Sequence, residues 1–204
     1  MSKKKIIHSH YEPRISPGRE NFEVLDWSDP AGQRARFEVL TRCVDLKGKS
    51  LLDVGCGLGD LWAFLRGENI PADYTGVDIV ERMVFAARQM YPAGAFECAD
   101  VFDPHSLPGQ RFDVVFSSGA FNLDLGNNRE FVPQAAARML DLANEVVVFN
   151  LLHHRTVSRH AYCFYYDPAE VVTALKPLGC SVRVIEDYLP NDFTVICRKT
   201  EEPD

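Results

Sequence analysis

The stretch KSLLDVGCGLGD, residues 49–60, places an apolar run ahead of three glycines at every second position, Gly55, Gly57 and Gly59. A strand that ends at Val54 and a helix that starts near Gly59 leave a tight turn between them. Glycine adopts backbone angles that are closed to other residues, and it lets a ligand approach the main chain closely. The turn therefore predicts a binding site for a nucleotide-like ligand.

Short apolar runs alternate with helical patterns along the rest of the chain. The predicted strands are 50–54, 73–77, 95–98, 112–117, 145–150, 182–186 and 193–198. The predicted helices are 31–44, 59–66, 80–90, 129–142 and 168–175. Runs such as EVVVFN are apolar on both faces, which is typical of parallel strands buried between two layers of helices. The pattern predicts an α/β protein with a doubly wound, mostly parallel sheet.

Length and charge limit the organisation and the partners. The chain has 204 residues, which fits one domain, with a cap segment and helix over 1–48 and a cofactor-binding core over 49–200. Its formal net charge is -7, so its surface repels polyanions and we expect no nucleic-acid partner. The basic run at 3–5 is interpreted as a solvated tail.

The cysteines and the hydropathy indicate the cellular setting. Six cysteines occur without a CxxC pair or a metal-like Cys/His spacing, which is typical of reduced thiols and predicts no metal site. We find no signal peptide and no apolar run of the ~20 residues that span a bilayer. We expect a soluble, cytoplasmic protein without a membrane partner, either a monomer or a homodimer.

The spacing of the glycines separates two kinds of nucleotide site. Dinucleotide-binding oxidoreductases use G-x-G-x-x-G and place a pyrophosphate against a helix N-terminus. This chain has G-x-G-x-G instead, and Asp60 adds a carboxylate where that pyrophosphate would lie. Because like charges repel at that position, a nicotinamide-dependent oxidoreductase is the less favoured alternative.

At this point LLDVGCGLGD resembles the first motif of the class I S-adenosylmethionine-dependent methyltransferases. YTGVDIV, ECADVFD and RFDVVFSSGAFN resemble the next three elements of that family in order, and LPNDFTVICRK resembles its reversed last strand. The resemblance covers about residues 31–200. It implies a Rossmann-like methyltransferase fold, with a seven-stranded sheet whose last strand is reversed, and S-adenosylmethionine as the cofactor.

The resemblance also implies the cofactor contacts. Asp53 would hold the turn or attract the ammonium group, Asp78 would accept from both ribose hydroxyls, and Asp100 would accept from the adenine amino group. The full expected set is Asp53, Gly55, Cys56, Gly57, Gly59, Asp78, Ile79, Asp100, Val101, Ser117 and Ser118. Each aspartate could instead be a helix cap or a turn former.

The acceptor and the catalytic residues are less defined by the sequence. The loop SSGAFN lacks the Pro-Pro-aromatic pattern of enzymes that methylate base amines, which favours a small-molecule O or N acceptor. His153 and His154 are the candidate catalytic bases, because histidine can take up a proton near neutral pH. The segment 153–166, rich in histidine and tyrosine, is interpreted as a substrate lid.

Several alternatives remain open. The histidines could be surface or packing residues, and Arg14 or Arg36 could instead line the pocket. A binding module without catalysis, or an enzyme that methylates protein or RNA, would carry the same glycine turn.

Overall fold

The computed structural model describes residues 2–16 and 18–200, which form seven α-helices and seven β-strands. The helices are α1 (Lys3–Tyr11), α2 (Asn21–Val24), α3 (Pro30–Cys43), α4 (Asp60–Gly67), α5 (Glu81–Met90), α6 (Asn128–Leu142) and α7 (Pro168–Leu175). The strands are β1 (Ser50–Val54), β2 (Asp73–Asp78), β3 (Ala95–Cys98), β4 (Phe112–Ser117), β5 (Ala143–Leu152), β6 (Cys180–Ile185) and β7 (Asp192–Lys199). Short 3₁₀ helices follow α1 and α7.

The chain divides into two compact units, Met1–Pro108 and Gly109–Asp204. In the first unit, β1 pairs with β2 and β2 pairs with β3, all parallel, with Val54 opposite Val77 and Asp78 opposite Cys98. The carboxyl ends of the three strands therefore meet at one edge. The expectation of one domain over 1–204 stays a prediction.

The second unit carries the reversed strand. Strand β4 pairs with β5 in parallel, while β7 is antiparallel to both β5 and β6. The strand order of the seven-stranded sheet is β3-β2-β1-β4-β5-β7-β6. This is the mostly parallel sheet with a reversed last strand that the sequence predicts, so the fold class is confirmed.

The parallel strands are apolar on both faces because both faces are buried. Leu51 and Leu52 are adjacent in β1, point to opposite faces, and are both fully buried. On the helices the apolar residues recur at helical spacing, as with Leu61 and Leu65 of α4, which are both buried. Such strands need a helix layer on each face. None of the described helices is both long enough and apolar enough to cross a membrane.

Residues 2–16 and 18–29 contain more secondary structure than the sequence indicates. The basic run is not a solvated tail, because Lys3–Tyr11 form α1 and the Ser2 side chain accepts a hydrogen bond from the backbone N–H of Lys5. Helix α2 begins with a capping box, in which the side chains of Glu20 and Glu23 each accept from the other residue's backbone N–H. We call residues 2–16 and 18–29 the cap segment.

Candidate functional site

The glycine turn between β1 and α4 is built on left-handed backbone. Gly55, Gly57 and Gly59 have φ angles of 75°, 55° and 85°, a region that residues with a Cβ avoid. Space is also limited, because a Cβ on Gly57 would lie 2.6 Å from Cδ2 of Leu25, and one on Gly59 would lie 2.8 Å from Phe96. The turn therefore needs glycine for its conformation and for its close neighbours.

Three backbone N–H groups of the turn form hydrogen bonds within the first unit. Those of Gly55 and Cys56 donate to the carbonyl oxygen of Val77 at 2.8 and 3.0 Å. That of Gly57 donates to Oδ2 of Asp78 at 2.9 Å. These three donors are therefore used in closing the turn onto β2. The turn therefore allows a ligand to approach its backbone closely, but it does not present a row of unbonded N–H groups to a phosphate.

Asp78 ends β2 and lies directly beside the turn. Its second oxygen, Oδ1, accepts from the backbone N–H of Val80 at 2.8 Å. Burial raises the pKa of Asp78, while the hydrogen bonds from Val80 and Gly57 and the nearby charge of His8 act in the opposite direction. A carboxylate oxygen has two lone pairs, so each oxygen keeps the capacity to accept a further hydrogen bond.

Asp53 lies one residue before the end of β1 and is almost fully buried. The hydroxyl of Tyr74 donates to its Oδ2 at 2.8 Å. Burial raises the pKa of Asp53 to about 7, aided by the negative charges of Asp78 and Asp60, while the hydrogen bond from Tyr74 lowers it. Asp53 thus ties β1 to β2 beside the glycine turn.

The remaining expected cofactor residues of the first unit lie at the same edge. Asp100 accepts from the backbone N–H of Phe102 at 3.1 Å, in the turn that follows β3, and Val101 is buried. Burial raises the pKa of Cys56 well above that of an ordinary thiol, which argues against a nucleophilic role. The structure thus brings Asp53, Gly55, Cys56, Gly57, Gly59, Asp78, Ile79, Asp100 and Val101 to the carboxyl ends of β1, β2 and β3.

The cap segment contacts this edge. Leu25 lies against Gly57, and Asn21 donates to Oδ1 of Asp60 at 2.5 Å. The other oxygen of Asp60 accepts from Gln33 at 2.9 Å. The E-x-x-E pattern at 20–23 was the available signal for α2. No local sequence pattern indicates that α2 contacts the glycine turn, which lies far along the chain.

Arg14 and Arg36, the alternative pocket residues, are engaged elsewhere in the first unit. Arg14 donates to the carbonyl oxygen of His10 at 2.8 Å and pairs with Asp26 at 3.4 Å. Arg36 lies over the ring of Trp27, at 4.2 Å from its centroid, and is buried. Both arginines therefore fasten the cap segment and α3.

Ser117 and Ser118 belong to the second unit. Ser117 ends β4 and is fully buried. The Oγ of Ser118 and the Oδ1 of Asn122 are shielded from solvent, and neither atom has a hydrogen-bond partner among the described residues. Phe121, in the same loop, is 1% exposed and packs against Phe131 and Phe149. The loop thus combines an apolar anchor with two unsatisfied polar atoms.

His153 is a buried residue with two hydrogen-bonded ring nitrogens. Its Nε2 lies 2.9 Å from Oε2 of Glu186, and its Nδ1 accepts from the backbone N–H of Arg155 at 3.1 Å. The ring packs edge-on against Phe193. Since Nδ1 is the acceptor, Nε2 carries the proton and donates to Glu186. The lone pair that a base needs is therefore already engaged.

His154 has the opposite environment. Its side chain is 45% exposed, and its Nδ1 lies 3.3 Å from Oδ2 of Asp167. With the ring proton on Nδ1, beside that carboxylate, the ring presents the lone pair of Nε2. Histidine bases are commonly oriented in this way.

The predicted lid, 153–166, consists of two different parts. Its end is fastened to the loop after β4, because the N–H of Phe164 donates to the carbonyl of Asn122 and the hydroxyl of Tyr166 donates to the carbonyl of Phe121. Its middle is open, and Val157 is fully exposed. Only the middle part has the exposure that a lid requires, and the lid stays a prediction.

Comparisons with known proteins agree with this architecture. Residues 51–143 match the model of a family described as "Methyltransferase domain". The chain is 31% identical over 161 residues to "Putative methyltransferase Rv1506c" of Mycobacterium tuberculosis, with 74% of this chain and 93% of that protein covered. It is 29% identical over 168 residues to a ubiquinone biosynthesis O-methyltransferase of Coxiella burnetii, with 76% and 67% covered.

A solved structure shows the same fold over nearly the whole chain. It is the magnesium protoporphyrin IX methyltransferase of Synechocystis PCC 6803 with bound S-adenosylmethionine, at a TM-score of 0.70 and 18% identity, with 98% of each chain covered. The fold and the family match define a class I methyltransferase. The chain belongs to the S-adenosylmethionine-dependent methyltransferases. It is thus an enzyme with S-adenosylmethionine as cofactor, not a nicotinamide-dependent oxidoreductase.

Proposed function

We propose that the enzyme transfers the methyl group to an oxygen or nitrogen atom of a small molecule. The observation that carries this proposal is the loop after β4, where Ser118 Oγ and Asn122 Oδ1 are shielded and unpaired among the described residues. Buried polar atoms without partners are unfavourable. A small acceptor with hydroxyl or amine groups would satisfy them. The Coxiella relative, an O-methyltransferase of ubiquinone biosynthesis, supports the same class of acceptor.

The cofactor contacts belong to the proposal as well. Asp78 would accept from the ribose hydroxyls, Asp100 from the adenine amino group, and the glycine turn would allow close approach. Asp53, with its raised pKa, would interact with the ammonium group, or only tie the turn to β2. Ser117 and Ser118 stay predicted contacts of the methionine portion, and the hydroxyl of Ser118 can donate to one partner while it accepts from the methyl acceptor.

The sulfonium of the bound cofactor supplies an activated methyl group, so the protein mainly orients the acceptor and excludes water. An acceptor hydroxyl or amine that receives this methyl group would have a proton to lose. We propose that His154 takes up this proton on Nε2, with Asp167 orienting its ring at 3.3 Å. His153 would position the start of the same segment through Glu186.

A panel of small acceptors tests the function. We would incubate the enzyme with labelled S-adenosylmethionine and separate pools of phenols, carboxylic acids and amines, with bulk RNA and a protein mixture as comparison pools. We expect label in a phenol, carboxylic acid or amine product, identified by mass spectrometry. Transfer to RNA or protein alone would overturn the proposal.

Variants of the histidine pair test the catalytic roles. We expect His154→Ala and Asp167→Asn to lower the rate of methyl transfer about a hundredfold, the lower range for losing a general base. The affinity for S-adenosylhomocysteine should remain unchanged. His153→Gln is the matched comparison and should lower the melting temperature more than His154→Ala does. A full rate in His154→Ala would remove it as the base.

A further inference from the structure

His8 of α1 has a ring nitrogen that the structure leaves unsatisfied. Its Nδ1 lies 2.8 Å from Oε1 of Glu12, one helical turn later. Its Nε2 is shielded from solvent and has no hydrogen-bond partner among the described residues. A shielded ring nitrogen without a partner is unfavourable. Such an atom either reflects a packing compromise or awaits a ligand.

The packing of α1 fixes where His8 lies in the first unit. Ile7 and Tyr11, on either side of His8 in α1, pack against the buried cluster that contains Val80 and Met83. Val80 follows Asp78 by two residues and donates its backbone N–H to that carboxylate. Helix α1 therefore lies over the backbone that carries Asp78.

A charged side chain of α5 reinforces this placement. The guanidinium of Arg82 donates to the carbonyl oxygens of Glu12 at 3.1 Å and Ile15 at 3.0 Å. Glu12 is also the partner of His8. The ring of His8 is thus oriented by a residue whose own backbone is fastened to the core.

His8 and Asp78 are near each other without being bonded. The charge of His8 acts on Asp78 and opposes the rise in its pKa that burial causes. Among the described residues, however, Nε2 has no partner, and the carboxylate accepts from the backbone of Gly57 and Val80 instead. Helix α1 and Asp78 thus lie in the same part of the first unit, and among the described residues no hydrogen bond or ion pair joins the side chains of His8 and Asp78.

We propose that His8 is a second ribose-binding residue, whose Nε2 forms a hydrogen bond with one hydroxyl of the adenosyl diol while Asp78 accepts from the same diol. A hydroxyl both donates and accepts, so it pairs with Nε2 whether the ring is neutral or protonated. Glu12 fixes the ring through Nδ1 in both cases. The inference rests on the cofactor of the family and is independent of the acceptor proposed above.

Two analogues of S-adenosylhomocysteine that each lack one ribose hydroxyl test the contact. We would measure by calorimetry the affinities for S-adenosylhomocysteine and for its 2′-deoxy and 3′-deoxy analogues, in the wild type and in His8→Ala. We expect the variant to bind S-adenosylhomocysteine about tenfold more weakly, which corresponds to about 1.4 kcal/mol. One deoxy analogue should bind both proteins with similar affinity, since the partner of Nε2 is then missing.

Two further variants separate a contact from a packing effect. His8→Gln keeps an amide near the position of Nε2 and should restore part of the affinity. His10→Ala is the matched control on the same helix, because His10 pairs with Asp26, at 3.1 Å. We expect its affinity to remain within about twofold of the wild type, below the effect of losing one hydrogen bond.

Three outcomes would overturn the inference. The first is an unchanged affinity in His8→Ala. The second is an equal loss for S-adenosylhomocysteine and both deoxy analogues, which would assign His8 to the packing of α1. The third is an equal loss in His10→Ala. A failure to find a small-molecule acceptor would leave these binding measurements intact, so the two proposals fail separately.

Discussion

At the scale of single residues, the glycines of the turn differ in what a side chain would meet. Gly57 combines a φ of 55° with a neighbour, Leu25, 2.6 Å from a Cβ position. Gly48 has a φ of 71° and nothing within 4 Å of such a position. Substitutions at Gly48 and Gly57 can therefore distinguish the effect of backbone strain from the effect of steric overlap, since both residues lie in the first unit.

We expect Gly48→Ala to lower the free energy of unfolding by about 1–2 kcal/mol, the strain of a left-handed residue. Gly57→Ala should lower it further, because Leu25 must move as well. Urea denaturation measures both values. In a Leu25→Ala background, Gly57→Ala should lower the free energy of unfolding by less, close to the loss caused by Gly48→Ala. Equal losses at the two glycines in the wild type would contradict the packing of Leu25 on the turn.

Asp53 makes stability depend on pH. Burial raises its pKa from 3.8 to about 7, so between these values the folded chain holds a proton that the unfolded chain has released. The free energy of unfolding should therefore fall as the pH rises through this window, by up to about 1.4 kcal/mol per unit from this group. Above the folded pKa the contribution is constant.

Urea denaturation of the wild type and Asp53→Asn across this window measures the effect. We expect the difference in unfolding free energy between them to change with pH below about 7 and to become level above it. Tyr74→Phe should extend the slope to higher pH, because the hydrogen bond from Tyr74 lowers the pKa of Asp53. A difference that is constant with pH would show that Asp53 titrates equally in both states.

At the scale of elements, the sequence predicts the alternating core closely. Strands β1, β3 and β4 and helix α7 have the predicted bounds, because continuous apolar runs and clear turn residues mark them. The carboxyl edge follows from that alternation, which explains why Asp53, Asp78 and Asp100 could be selected. Helix α1 was missed, because its apolar residues are few and its stabilising partners, such as Val80, lie far along the chain.

Arg82 provides a test of how the cap segment is fastened. Its guanidinium joins α5 to the carbonyl oxygens of Glu12 and Ile15. We expect Arg82→Ala to increase amide hydrogen exchange in residues 3–15 about fivefold, the effect of losing about 1 kcal/mol of local stability. Exchange within the buried part of α5 should stay unchanged.

Arg88→Ala is the matched control on the same helix. Arg88 donates to the carbonyl oxygen of Phe96 in β3, so its loss should increase exchange in β3 and leave α1 protected. Mass spectrometry resolves the two regions. Equal protection of residues 3–15 in Arg82→Ala and the wild type would mean that apolar packing alone fixes α1.

At the scale of the whole molecule, the candidate site residues are divided between the two units. The first unit carries the glycine turn, the three aspartates and the cap segment, and the second carries the loop after β4 and the histidine pair. Sequence motifs identified the first group because close backbone approach requires glycine at fixed spacing. The second group was harder to assign, since two adjacent histidines look alike in a sequence while one is buried and the other is exposed.

Ligand binding should stabilise the folded protein according to the chemistry of the turn. S-adenosylhomocysteine at about 100 times its dissociation constant adds about 2.7 kcal/mol, which should raise the melting temperature by about 5–10 °C for a chain of this size. A reduced nicotinamide dinucleotide at the same concentration should not. Its pyrophosphate would meet the carboxylate of Asp60, and the N–H of Gly57 already donates to Asp78. Thermal denaturation with each ligand measures the difference, and equal stabilisation by the dinucleotide would contradict this account of the turn.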